Sequence, residues 1–343
     1  MAGGRADGGA VSSSGPPSIG VVGLGLIGGS LARRLVAEAR PAVGWDADAG
    51  TRAAARAAGL PVASSLAALA EAGGVVVIAV PLPAVDDVLA AVAAAAPPGT
   101  VVTDTTSVKE PVRALAARHR VTFVGGHPMA GTAESGFGAS SAELLAGATW
   151  ALTLDDETDL ADWMTIAGVV MSLGCAVVPM TSAAHDHAVA AVSHLPHVLA
   201  AALVLGAADP LARTLAAGSF RDATRVATTR AELVAAMCAG NADALESQLT
   251  ALGERLMQVG QLLRQPAGLT RWFASAREAR VDWPDTAGRE MELTGAGLRA
   301  RLLAAGLAGG RVVAVGPDRV LVRTAVSADE EQAGTPARGR GSR

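Results

Sequence analysis

The sequence predicts an α/β N-terminal domain built on a mostly parallel, doubly wound sheet, then an all-helical domain and a small C-terminal appendage. Three observations predict it. Short β-branched runs alternate with Ala-rich helical segments over the first half of the chain, a glycine-rich turn closes the first run, and no strand run interrupts residues 181–284. Strands separated by helices return in parallel and carry helices on both faces. With 343 residues the chain outgrows one core, since single cores stop growing near roughly 250–300 residues.

Residues 1–17 are rich in Gly, Ser, Ala and Pro and lack an apolar core segment, so a disordered leader is expected. A dinucleotide-type domain is expected over 18–180. Its strands are "SIGVVGL" (18–24), "AVGWD" (42–46), "VVVIAV" (75–80), "TVVTD" (100–104) and "VTFVGG" (121–126), with a helix over 27–38 after the first. "TWALTL" (149–154) and "CAVVPM" (175–180) are expected as late strands flanking a helix over 159–173. The helical domain spans 181–284, with helical periods over 183–208, 230–239 and 241–264. Residues 285–326 read as an appendage: a helix over 295–305, then a hairpin over 311–326 turning at Gly316-Pro317-Asp318. Residues 327–343 are polar and Gly/Arg-rich and read as a frayed, disordered tail.

Composition removes several function classes. Half the residues are apolar and 17% are charged, which excludes a wholly disordered chain. A net charge of −4 without a basic stripe argues against nucleic acid. Cys175 and Cys238 stand far apart in apolar surroundings, which fits free thiols in a reducing, cytoplasmic setting. The apolar stretch 188–208 contains His194, Pro196 and His197, so a buried helix is expected there and no membrane span.

Gly23, Gly25 and Gly28 form a G-x-G-x-x-G turn between a strand and a helix. The first glycine permits the tight turn, the second lets a pyrophosphate approach the backbone, and the third lets the helix pack on the strand. Leu26 and Ile27 open that helix, whose free N–H groups hold an anion. Asp46 ends the second strand, where a carboxylate binds a ribose 2′-hydroxyl and repels a 2′-phosphate. No Arg follows at 47 or 48, so NAD is expected as cofactor rather than NADP. Val80 and Pro81 end the third strand, where the nicotinamide ribose lies in such sheets.

The chemistry-bearing side chains fall near the same edge. His127, in "GGHPMAG" after the fifth strand, is the candidate general base. Ser107, after the fourth strand, can reach the same bound hydroxyl. Lys109 is the only lysine of the chain, which suggests a compact point charge for substrate. His194 and His197 sit at i and i+3 and share a helical face toward substrate or the cleft. No carboxylate or Cys joins them at ligand spacing, so no metal is expected. His185 and His187 read as structural or cleft-lining. In "GSFRDATR", Arg225 can receive a carboxylate in a bidentate fork.

Taken in order, "VVGLGLIGGSLA", "TDTTSVK", "GGHPMAGTAESG", "AVSHLPHVLA" and "GSFRDATRVA" resemble the prephenate dehydrogenase family, over residues 18 to 265. The resemblance implies a Rossmann-type domain, a helical dimerisation domain and hence a homodimer. It implies NAD-dependent oxidative decarboxylation of prephenate, in tyrosine biosynthesis. His127 would then accept a hydrogen bond from the ring hydroxyl, Ser107 would steady both, His194 matches the helical-segment histidine, and Arg225 would bind a carboxylate. Two positions depart from the pattern: Ala133 stands where an acid is common, and no Trp follows the Arg225 segment. Arogenate therefore stays open as the substrate. A β-hydroxyacid-type dehydrogenase is the second enzyme reading, though it needs a lysine in the helical domain. A non-catalytic NAD-sensing protein is the third.

Overall fold

A computed structural model describes residues 18–132, 134–281, 288–316 and 319–324. The expected leader and tail, Ala133 and the Pro317-Asp318 turn lie outside the described residues. Five strands, β1 (Ile19–Val22), β2 (Ala42–Trp45), β3 (Val75–Ile78), β4 (Val101–Asp104) and β5 (Phe123–Val124), form an all-parallel sheet in the order β2-β1-β3-β4-β5. Helices α1 (Leu26–Ala37), α2 (Ala49–Ala57), α3 (Leu66–Glu71), α4 (Val85–Ala95) and α5 (Glu110–Arg118) make the crossovers. Side chains alternate between the faces of a strand, and the burial follows that period. Ile19, Val21, Val75 and Val77 join one core, while Val22, Val76 and Ile78 join another beneath α3, α4 and α5. The order reverses between β1 and β3, and the carboxyl ends of strands at such a point form the ligand crevice of open α/β sheets.

The next strands do not extend this sheet. β6 (Gly126–Pro128), β7 (Thr149–Thr153) and β8 (Ala176–Met180), with α6 (Leu160–Ser172) between the last two, belong to a second sheet. The segments 149–154 and 175–180 thus form the expected strands but in a different sheet. The helical part follows: α7 (Ser182–Val189), a π-helical turn (Ala190–His194), α8 (Leu195–Gly206), α9 (Pro210–Leu215), α10 (Gly218–Thr224), α11 (Ala231–Gly240), α12 (Ala242–Leu262) and α13 (Pro266–Val281). Pro196 offers no amide to the α ladder and its ring crowds the preceding turn, which accounts for the widening into a π turn ahead of it.

The C-terminal appendage is a sheet extension that packs onto the late strands of the first domain. β9 (Glu290–Thr294), α14 (Leu298–Leu307), β10 (Arg311–Val315) and β11 (Arg319–Arg323) complete the second sheet in the order β6-β7-β8-β10-β11-β9. The hairpin is present, and Val312 on β10 pairs with Val177 on β8. Leu293, Leu302, Val312, Val320 and Val322 are buried in the same core as Trp150, Trp163 and Ile166. Strand β9 was not expected: its five residues carry two glutamates and only Leu293 is buried, so it lacks an apolar run.

Helix Ser182–Gly206 is long and apolar enough to cross a membrane by length and composition, and 28% of its apolar window is buried in the chain. The expectation of a buried helix thus holds for one side only. His185, Asp186, Val189 and His194 face inward, while Val192, Leu203 and Leu205 are exposed.

Candidate active site

The glycine turn shows which positions the fold itself requires. Gly23 has φ +92°, and a Cβ on Gly28 would lie 1.9 Å from the Gly23 carbonyl oxygen. Both therefore serve the packing of α1 on β1. Gly25 differs: its φ is −70° and nothing lies within 4 Å of an added Cβ. The space beside it, at the uncapped start of α1, fits the pyrophosphate of a dinucleotide. Asp46 receives the Leu24 amide on Oδ2 (2.7 Å) and the Asp48 amide on Oδ1 (2.9 Å). Those bonds aim the carboxylate at the turn and leave lone pairs for ribose hydroxyls. Val80 packs against Gly23, and Pro81 is exposed beside it at the end of β3. The residues present thus fit NAD. Gly25→Val should cost about 1 kcal/mol or less in stability yet raise the Kd for NAD about 100-fold (~2.7 kcal/mol). Calorimetric titration with NAD checks this, and wild-type affinity in the variant would mean the turn cradles no dinucleotide.

His127 lies on β6, not in a loop. Gly126, His127 and Pro128 pair with Leu152, Ala151 and Trp150 of β7, beside the end of β5. The preceding residue is held from both sides: the Gly126 amide donates to Asp104 Oδ1 (2.9 Å), and Lys109 Nζ donates to the Gly126 carbonyl (2.6 Å). On the ring, Nδ1 meets His185 Nε2 at 2.9 Å, and His185 Nδ1 meets Asp186 Oδ1 at 2.8 Å. Burial pushes the His127 pKa well below the usual histidine range, reinforced by His185, Lys109 and His194. Burial also lowers His185, against the pull of Asp186. Asp186 itself stays low despite burial, because His185 and the amides of Glu110 and Lys109 bond to it.

Lys109 does not reach a substrate. It is fully buried, and its ammonium donates to the Asp104 carboxylate, to Thr106 Oγ1 (3.1 Å) and to the Gly126 carbonyl (2.6 Å). All three donors of an ammonium are therefore used. The compact charge inferred from its uniqueness is real but serves an internal ion pair that anchors the strand of His127.

His194 is buried on the π turn, with Nδ1 3.2 Å from the Asn241 amide, and burial lowers its pKa. Ser107, half-buried after β4, places its backbone beside that ring. The ring contact that steadies His127 comes from His185 rather than from Ser107. His194 is in electrostatic reach of both His127 and His197. His197 in turn neighbours Arg225, which is exposed, and the Val226 backbone. Nε2 of His194 and Nδ1 of His197 close no hydrogen bond of good geometry, although the Ser107 and Val226 backbones lie beside the two rings. No cluster of His, Cys, Asp and Glu suited to a metal occurs among the described residues.

The sequence reads His185 as structural or cleft-lining and gives Asp186 and Asn241 no role. The one available signal was a His-Asp pair at a helix start; its partners lie 58 and 77 residues away in sequence.

Residues 31–178 match the family profile described as prephenate dehydrogenase, nucleotide-binding domain, and residues 181–274 match prephenate dehydrogenase, dimerization domain. The first match starts after the glycine turn, so the dinucleotide cradle rests on its own geometry. The chain is 31% identical over 220 residues to prephenate dehydrogenase of Lactococcus lactis, spanning 60% of each. It is 34% identical over 239 residues to cyclohexadienyl dehydrogenase of Zymomonas mobilis, covering 66% of this chain and 82% of that one. Among solved structures, Synechocystis arogenate dehydrogenase matches with a TM-score of 0.70 and 32% identity, over 78% of this chain and 99% of that one. Prephenate dehydrogenase from A. aeolicus, in complex with hydroxyphenyl propionate and NAD+, matches with a TM-score of 0.74 and 25% identity, over 79% and 99%.

Proposed function

The chain belongs to the prephenate dehydrogenase family, and from that premise we propose that it catalyses the NAD-dependent oxidative decarboxylation of prephenate to 4-hydroxyphenylpyruvate and CO2. The observation that carries the reading is the His127 ring. It is fixed at Nδ1 by His185, just past the end of β5 in the domain whose first turn fits NAD, with His194 near it and His197 and Arg225 following from the helical part.

In this reading His127 Nε2 takes the proton of the ring hydroxyl as the neutral base. The Gly23–Gly28 turn and Asp46 would hold NAD, which would supply the acceptor for the hydride of the hydroxyl-bearing carbon. Loss of the ring carboxylate as CO2 returns its electron pair to the ring, which becomes aromatic as a phenolate. His127 then gives the proton back to that oxygen, so no net proton is released. Arg225 holds a substrate carboxylate and His197 lines the same wall. The protein's contribution is positioning plus one transferred proton.

Arogenate is the second substrate reading, favoured by the likeness to the Synechocystis enzyme. A β-hydroxyacid-type reaction is disfavoured, because the lone lysine is buried against Asp104 in the first domain. A homodimer through the helical part is included in the proposal, supported by the dimerization-domain match and by exposed Leu203, Leu205, Leu256 and Met257. A cytoplasmic setting is supported by two free cysteines.

Mixing the protein with NAD and prephenate, arogenate or a 3-hydroxyacid, and following NADH absorbance, tests the reading. NADH with CO2 from prephenate is expected, and none from the 3-hydroxyacid. Silence with both cyclohexadienols would sink it. Light scattering on the same sample should give twice the 34.1 kDa of one chain.

A further inference from the structure

We propose that His185 and Asp186 are positioning residues that set the tautomer of the base, so that His127 carries its proton on Nδ1 and turns a bare Nε2 to the substrate. The proposal rests on the reading of His127 as the base. Neither residue touches a reacting atom; each acts through the next.

The hydrogen-bond chain starts at Asp186. Its Oδ1 accepts from the Lys109 amide (2.7 Å) and its Oδ2 from the Glu110 amide (2.9 Å). A carboxylate receiving such bonds is ionised and only accepts. His185 Nδ1, 2.8 Å away, must therefore carry the proton. A neutral imidazole with Nδ1–H has a bare Nε2. Since that Nε2 lies 2.9 Å from His127 Nδ1, His127 must be the donor in the second contact. One proton on a neutral ring leaves His127 Nε2 as the acceptor. The opposite tautomer would set two lone pairs against each other at 2.9 Å and leave no base toward the cleft.

Burial keeps both rings neutral. The other groups facing this pair support that state. Lys109 stands behind both rings with its charge matched by Asp104, and His194 faces His127 from the π turn. Asn241 Nδ2 donates to the Asp186 carbonyl at 2.7 Å and fixes the backbone that carries the pair.

Histidine-labelled protein without ligand gives the first readout, through nitrogen–proton correlations that identify the protonated nitrogen. The Nδ1–H form is expected for both His127 and His185, and Nε2–H on His127 in the wild type would overturn the proposal. Kinetics give the second. His185→Leu removes the acceptor and should lower kcat about 10- to 100-fold, part of the ~10²–10⁴ a positioned base supplies, with KM for NAD unchanged. In its spectrum His127 should gain the Nε2–H form. His185→Gln, whose Oε1 can accept from Nδ1–H, should recover most of the rate. Wild-type kcat in His185→Leu, or no recovery in a folded His185→Gln, counts against the proposal. Failure of both cyclohexadienols to react would instead remove the functional reading, while the tautomer measurement still decides this one.

Discussion

Replacement of His127 by Asn is expected to lower kcat by about 10²–10⁴, with the KM for NAD little changed. Asn keeps a polar group near His185 but cannot take a proton. The reading of His127 as a base also fixes the pH dependence. Burial, then His185, Lys109 and His194, hold its pKa well below the usual value. A base must be unprotonated, so the wild-type rate should stay flat as pH falls through about 6.5, the usual histidine value, and drop only when the lowered pKa is passed. Stability follows the same sign. Below about 6.5 the unfolded chain binds more protons at this site than the folded one, so the contribution present above that pH is lost toward the folded pKa. His185, His194 and His197 are shifted in the same direction, burial being the largest cause for each. Stopped-flow rates across pH check the kinetic part, and an Asn variant as fast as the wild type would remove His127 from the chemistry.

Lys109→Met should be the most destabilising single change, by about 3–5 kcal/mol. The cost arises less from the lost pair than from Asp104, which is fully buried and is left without its cation. Adding Asp104→Asn should restore most of the loss, because two neutral groups replace two charges. Urea midpoints of the two variants check it. A single variant within about 1 kcal/mol of the wild type would show the pair to be dispensable. Activity should fall as well, since Lys109 Nζ holds the carbonyl of Gly126, the residue before the base.

Where local pattern and tertiary contact agree, the sequence could be read closely. Strands β1, β3 and β4 are rich in β-branched residues and buried at every position, and Gly23, Gly25 and Gly28 are fixed by one local turn. His127, His194, His197 and Arg225 can be proposed as a set because their short motifs are unusual. Partnership was harder to read. Nothing local in "TWALTL" or "CAVVPM" says which sheet they join, and the second sheet closes only through β10, over 130 residues after β8. Lys109 announced a special role by being unique, but a buried pair with Asp104 and an exposed substrate contact leave the same trace in sequence. His185 and Asp186 were passed over because their function lies entirely in bonds to residues 58 and 77 positions away.

Asp186 belongs to the first helix of the second domain, yet its carboxylate holds two backbone amides at the start of α5 in the first. Opening the molecule there would break both bonds and the imidazole contact together, each charge-assisted one worth about 1.5–3 kcal/mol. That junction is therefore a welded seam and a poor hinge.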